Sequence, residues 1–134
     1  MLNQKLYTMQ VTFPKDCGNA PRKTFLKDFH LALAKGDLNF LEQHIEDKFS
    51  WELIGKNSME TKQKYLQEVQ QHAHWKVENL TIVSIITHGN DAAVYGKFTT
   101  AGNKKFRFCD LYTFKGSKGF MIKSIKCFLI KEEN

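Results

Sequence analysis

The residue with the clearest chemical potential in this chain is an acid inside a greasy strand. The segment Phe106-Arg107-Phe108-Cys109-Asp110-Leu111-Tyr112-Thr113-Phe114 alternates, and strand residues two apart point the same way. Phe106, Phe108, Asp110, Tyr112 and Phe114 therefore share one face. A carboxyl group among rings must find a partner, stay protonated or face a wet cavity. Held neutral, it can donate a hydrogen bond to a ligand oxygen or shuttle a proton. The plainer alternative is a structural acid bonded to an indole N–H or a tyrosine hydroxyl. The first reading predicts a ligand pocket around Asp110.

The other reactive side chains offer less. His72 and His74 flank Ala73 at the end of a predicted helix. Positions two apart on a helix do not share a face, and no carboxylate stands at ligand spacing, so no metal site is expected. His30 follows Phe29 and fits a helix interface, and His88 ends a strand. Cys17, Cys109 and Cys127 are too few and too scattered for a disulfide framework, and none belongs to a CxxC pair. The chain has no GxGxxG, GxxxxGK or GxSxG motif, so no cofactor is expected.

The elements that must hold these residues can be read in order. A length of 134 residues with 42% hydrophobic content fits one domain with a real core. Residues 1–21 form an N-terminal arm, in which Leu6, Met9, Val11 and Phe13 suggest a short extra strand; 22–134 form the domain proper. A helix is predicted over 22–35, with Phe25, Leu26, Phe29 and Leu33 at three- and four-residue spacing and Gly36 as its stop. Asp37 caps a second helix with Leu38, Leu41 and Ile45 as its apolar stripe. A strand is expected over 49–55, with Phe49, Trp51 and Leu53 on one face, then a third helix over 60–72 with Tyr65, Leu66 and Val69 inward. Four strands follow, at 75–88, 91–100, 104–114 and 120–130, joined by short turns as an antiparallel meander. The last is apolar on both faces: Met121, Ile125, Cys127 and Leu129 against Phe120, Ile122, Phe128 and Ile130. That pattern predicts cover on the outer side, most simply a second copy of the chain, hence a homodimer through the sheet face.

Charge bounds the partners. The net charge is +6, and from Lys97 to Lys131 nine basic residues accompany a single acid, Asp110. Such a surface can attract an anion or an acidic partner. Lysines on strand edges and turns also serve simply to deter edge pairing, and nucleic acid is not expected as a partner. No apolar run approaches the roughly 20 residues that span a membrane, and Met1 to Lys5 lacks the pattern of a signal peptide. No membrane association is expected, and a cytoplasmic location is.

Three segments carry a resemblance: Ala34-Lys35-Gly36-Asp37-Leu38, Trp51-Glu52-Leu53-Ile54-Gly55, and Asp110-Leu111-Tyr112-Thr113-Phe114-Lys115-Gly116. In their order helix, helix, strand, helix, meander, the chain resembles the nuclear transport factor 2-like (SnoaL-like) superfamily over residues 22–131. The resemblance implies an α+β cone: three N-terminal helices packed on a strongly curved, mixed but mainly antiparallel sheet that encloses a pocket. It implies a wall built from Phe29, Trp51, Leu53, Tyr65, Trp75, Phe108 and Ile125 around Asp110 and Tyr112. That superfamily hosts isomerases, cyclases, dehydratases, epoxide hydrolases and non-catalytic binders. A ketosteroid isomerase also needs a tyrosine and an aspartate at positions that fall here on Phe29 and Leu53, which cannot move a proton. The Asp-Arg-Asp cluster of the epoxide hydrolases is not reproduced, because Arg107 sits on the strand face opposite Asp110, while Glu52 points outward beside solvent. A SnoaL-like cyclase or isomerase needs one acid, a role that Asp110 supported by Tyr112 can fill. The expected function is binding of a hydrophobic, carbonyl-bearing small molecule, with or without isomerase, cyclase or lyase turnover. The alternative is a non-catalytic protein-interaction or dimerisation module with a basic surface.

Overall fold

Helix α1 (Pro21–Lys35) opens with proline at its first position, where the missing N–H is no loss. It closes at Gly36, whose φ of 73° is the left-handed turn that favours glycine. The Asp37 N–H then reaches back to the Ala32 carbonyl at 2.9 Å, and the Asp37 carboxylate accepts from the Phe40 N–H at 3.2 Å to cap α2 (Leu38–Gln43). These contacts fix the angle between the two helices. The structure, a computed structural model, describes residues 9–14, 20–71 and 76–133.

Seven strands form one sheet in the order β1-β4-β5-β6-β7-β2-β3. β4 (Val77–His88), β5 (Asp91–Thr100), β6 (Lys104–Phe114) and β7 (Ile122–Lys131) make the antiparallel meander. At one edge β1 (Gln10–Thr12) runs parallel to β4. At the other, β2 (Ile45–Leu53) runs parallel to β7 and turns back as β3 (Asn57–Met59). The third helix, α3 (Lys62–Gln71), lies on β2 and α2. This is an α+β fold of three helices on a mixed, curved sheet. Register breaks in β2, β4 and between β6 and β7 supply the curvature.

Three local readings from sequence are corrected. Ile45 does not belong to the stripe of α2: that helix ends after six residues, and Ile45 is the first residue of β2, buried and paired with Ile122. Strand β3 carries only the polar pair Asn57 and Ser58 before Met59, too short a pattern to announce itself. In β7 the expected split of faces fails at one residue. The pairing skips Lys123, so Ile122 joins Ile125 inside the core, and Phe128 and Ile130 remain outside. A single extra residue reverses the side to which everything before it points.

The register sets inner side chains in rows across the strands. One row runs Ile85, Val94, Asp110, Cys127, Leu53; the next holds Ala92, Tyr112, Ile125 and Trp51; on the other side lie Ile82, Gly96, Phe108 and Leu129. Helix α1 crosses this surface. It buries Phe25, Leu26, Phe29 and Ala32 at the closed end of the cone. Arg22 ties the turns beneath, donating to the carbonyls of Gly89, Gly116 and Gly119 while its guanidinium lies 4.2 Å from the Phe114 ring centroid.

Candidate functional site

The open end of the cone holds a cavity of about 290 Å³. Its wall comes from every layer: His30, Leu33 and Ala34 from α1; Trp51 and Leu53 from β2; Met59 from β3; Tyr65, Glu68 and Val69 from α3. The sheet adds Val77 and Leu80, Phe98, Phe108 and Asp110, and Ile125, Cys127 and Leu129. Lys76, exposed, also belongs to the lining. The helical contribution follows from spacing, since His30, Leu33 and Ala34 recur at i, i+3 and i+4 and so share one face. Ligand pockets of this kind are mostly apolar with a few placed polar groups. Here the buried polar groups are His30 and Asp110, 5% and 6% exposed.

Of the residues expected at the site, Trp51, Leu53, Tyr65, Phe108, Ile125 and Asp110 meet at this wall. Phe29 and Tyr112 stand behind it. Phe29 is fully buried, edge-on to the Tyr112 ring at 5.8 Å, because one helical position, about 100°, separates it from the cavity face. Trp75 lies outside the described residues, as do His72, His74 and Cys17. The sequence reading missed His30 and Cys127 as members of the site. The 30/33/34 spacing would have found the first, and the pairing of β6 with β7, which sets Cys127 opposite Asp110, decides the second.

The polar network is short. The Tyr112 hydroxyl is hydrogen-bonded to His30 Nε2 at 2.7 Å, the tautomer of the ring deciding which of the two donates. Asp110 Oδ2 lies 3.6 Å from the same nitrogen, beyond hydrogen-bond reach. The His30 ring also stacks on Phe108, with centroids 5.1 Å apart. Asp110 Oδ1 is buried and has no hydrogen-bond partner among the described residues. Burial dominates the titration of every member. It raises the Asp110 carboxyl to about 7, with a Cys127 thiol hydrogen bond pulling the other way. It lowers His30 to about 3. It lifts the Tyr65 and Tyr112 phenols well above their ordinary range, and the Asp110 charge adds to both. The Cys127 thiol is pushed up by burial and by Asp110, which makes it a poor nucleophile. Near neutral pH the network is thus a neutral histidine, two protonated phenols and an acid poised to lose or gain a proton.

Such an arrangement can donate a hydrogen bond or a proton to an oxygen in the cavity. On the outer side of the sheet, Arg107 is engaged with the Tyr95 hydroxyl at 2.6 Å and Glu132 at 3.1 Å, and Glu52 is exposed. Among the described residues no three His, Cys, Asp or Glu side chains converge as metal ligands do.

No family model matches the chain, and no curated protein sequence does. Solved structures do match in shape. An NTF2-like protein of unknown function from Cytophaga hutchinsonii superposes with a TM-score of 0.64 at 16% identity, over 83% of this chain and 90% of that one. An LEH-like epoxide hydrolase of M. tuberculosis gives a TM-score of 0.65 at 13% identity, over 77% and 74% of the two chains. SalBIII, an epoxide hydrolase/cyclase-like enzyme of pyran ring formation in the polyether salinomycin, gives 0.66 at 15% identity, over 81% and 89%. With the helix order, the strand order and the open cone already described, these matches establish that this chain has the NTF2-like, SnoaL-like α+β cone fold.

Proposed function

We propose that the cone binds a hydrophobic small molecule bearing a carbonyl or similar oxygen, and that Asp110, neutral, donates a hydrogen bond or a proton to that oxygen. The observation that carries this reading is the Asp110 carboxyl: at the wall of an apolar cavity, 6% exposed, with Oδ1 unpartnered among the described residues. A buried polar atom without a partner is costly and calls for an explanation. Oδ1 has almost no accessible surface where it stands, and a turn of the carboxyl group about its Cβ–Cγ bond would bring it to a ligand acceptor in the cavity. Trp51, Tyr65, Phe98 and Phe108 are the apolar walls, while Tyr112, behind them, holds His30 through its hydroxyl. Tyr112 is therefore a positioning residue. The epoxide hydrolase and cyclase-like relatives support turnover on oxygen-bearing substrates as the richer form of the same reading.

The test is calorimetric titration with 2-acetylnaphthalene. Because the donor form of Asp110 disappears above about pH 7, the expected affinity falls roughly tenfold from pH 6 to pH 8. Asp110→Asn keeps an N–H donor and flattens the profile; Asp110→Leu weakens binding at pH 6 by about tenfold. Equal affinity for wild type and Asp110→Leu at pH 6 overturns the reading.

A second part of the proposal concerns assembly. The outer rows of the sheet, Ile86-Ala93-Leu111-Lys126 and Ser84-Tyr95-Cys109-Phe128, expose Ile86 at 62% together with Leu111 and Phe128, and Ile130 beside them is 65% exposed. A contiguous apolar face of this kind supports a homodimer through the sheet. No helix among the described residues is long and apolar enough to cross a membrane, and the cytoplasm is the location we assign to the dimer.

A further inference from the structure

We propose that the same cavity is a site for hydrophobic ammonium ions, held by the ionised Asp110 carboxylate and by the faces of the surrounding aromatic rings. This inference shares the cavity with the preceding reading but uses the opposite protonation state, so either can stand alone. Three observations carry it. The carboxyl group belongs to the cavity wall, and its buried Oδ1 has no hydrogen-bond partner among the described residues and would meet a ligand only after the group turns. The groups nearest to it are poor counter-charges: His30 Nε2, 3.6 Å from Oδ2, is already engaged by Tyr112 and burial disfavours its charged form, and burial keeps the Cys127 thiol protonated. The wall beside it is aromatic: Tyr65 packs against both Phe49 and Trp51, with centroids 4.9 and 6.0 Å away, and Phe98 and Phe108 line the cavity 6.0 Å apart.

Desolvation is what holds the acid neutral. A cation arriving beside the carboxyl group offsets that penalty, since an opposite charge within a few ångströms favours ionisation. The ring faces attract the same cation through their quadrupoles. An alkylammonium also carries the N–H donors that an unpartnered carboxylate oxygen lacks. A carbonyl ligand and an ammonium ligand therefore require different forms of one group, and their affinities must change with pH in opposite directions.

The groups that face Asp110 do not blur this contrast. From α1 comes His30, lowered to about 3; from α3 and β6 come Tyr65 and Tyr112, both raised well above 10; from β7 comes Cys127, raised by burial. Cys109, next in β6, is raised by burial and by Asp110. Glu68 and Lys76 bring opposite charges to the wall, and a neutral ligand of the same shape controls for them.

The experiment is calorimetric titration of the full chain with 2-(1-naphthyl)ethylammonium, 1-ethylnaphthalene and 2-acetylnaphthalene between pH 6 and pH 8. The ammonium is expected to bind about tenfold more tightly at pH 8 than at pH 6, while ethylnaphthalene stays level. Asp110→Asn, with its fold verified by circular dichroism, removes the rise and weakens ammonium binding at pH 8 by at least tenfold. Trp51→Leu weakens the ammonium more than the hydrocarbon. Independently, the carboxyl carbon resonance of Asp110 titrates at lower pH when the ammonium saturates the site. An ammonium affinity equal to that of ethylnaphthalene at pH 8, or no binding by any of the three, overturns the inference. A falling profile for the ketone beside a flat one for the ammonium overturns this inference and leaves the carbonyl reading intact.

Discussion

At the scale of the residue, burying one carboxyl group has consequences for stability as well as for ligands. Asp110 is raised by burial from the ordinary carboxylate value of 3.8 to about 7. In the unfolded chain it ionises near pH 4, whereas in the fold it stays protonated to about pH 7. The stability that this group contributes is therefore fully present below pH 4 and is lost as pH rises towards 7. Three pKa units correspond to about 4 kcal/mol. Asp110→Asn removes the titration, and urea unfolding should find the variant more stable than wild type at pH 8, by up to about 4 kcal/mol, with the gain shrinking towards nothing at pH 4. A gain independent of pH would mean that the carboxyl is not held neutral. His30 has the opposite sign. Lowered from 6.5 to about 3, it contributes stability that is present above pH 6.5 and is lost as pH falls towards 3.

Among the elements, the site depends on β5 as much as on the strand that carries the acid. Gly96 in β5 lies opposite Phe108. A Cβ there would run into the Thr81 carbonyl and come within 2.8 Å of Phe108 Cζ, closer than real contacts allow. Glycine is thus the space into which the Phe108 ring lies, and Phe108 in turn stacks on His30. Gly96→Ala should destabilise the fold by about 2 kcal/mol or more. By moving the ring it should also weaken whatever the cavity binds, both read from paired thermal melts and calorimetry. An alanine variant with wild-type stability would show that β5 yields locally.

For the whole molecule, the question is what covers the outer sheet. Ile86, Leu111 and Phe128 sit in adjacent cross-strand rows, while the next row carries Thr81, Lys97, Arg107 and Ile130. The outer surface therefore passes from apolar to basic along the strands. Two copies related by a two-fold axis can bury the first part and leave the second in water. Sedimentation at micromolar concentration should give a dimer for wild type and a monomer for the double variant Leu111→Lys, Phe128→Lys, with ligand affinity retained because those side chains face away from the cavity. A wild-type monomer would return the apolar face to some other partner.

The chain's own pattern determined much of this. Alternation in 104–114 placed Phe108, Asp110, Tyr112 and Phe114 on one inward face, since the period of a strand is local geometry. The capping pair Gly36 and Asp37, the third helix and the meander with its short turns are likewise local, and together they spell out the cone. Tertiary structure decided what depends on register and on the distance between layers. Pairing of β6 with β7 brought Cys127 opposite Asp110, an extra residue at Lys123 turned Ile122 into the core, and the crossing of α1 turned His30 rather than Phe29 towards the hollow. It also assigned the hydroxyl of Tyr112 to His30, 82 residues away in sequence, and so left the acid as the polar group of β6 at the cavity wall. A periodicity fixes which face a side chain takes. Which neighbour it meets there is set by packing between segments far apart in the chain.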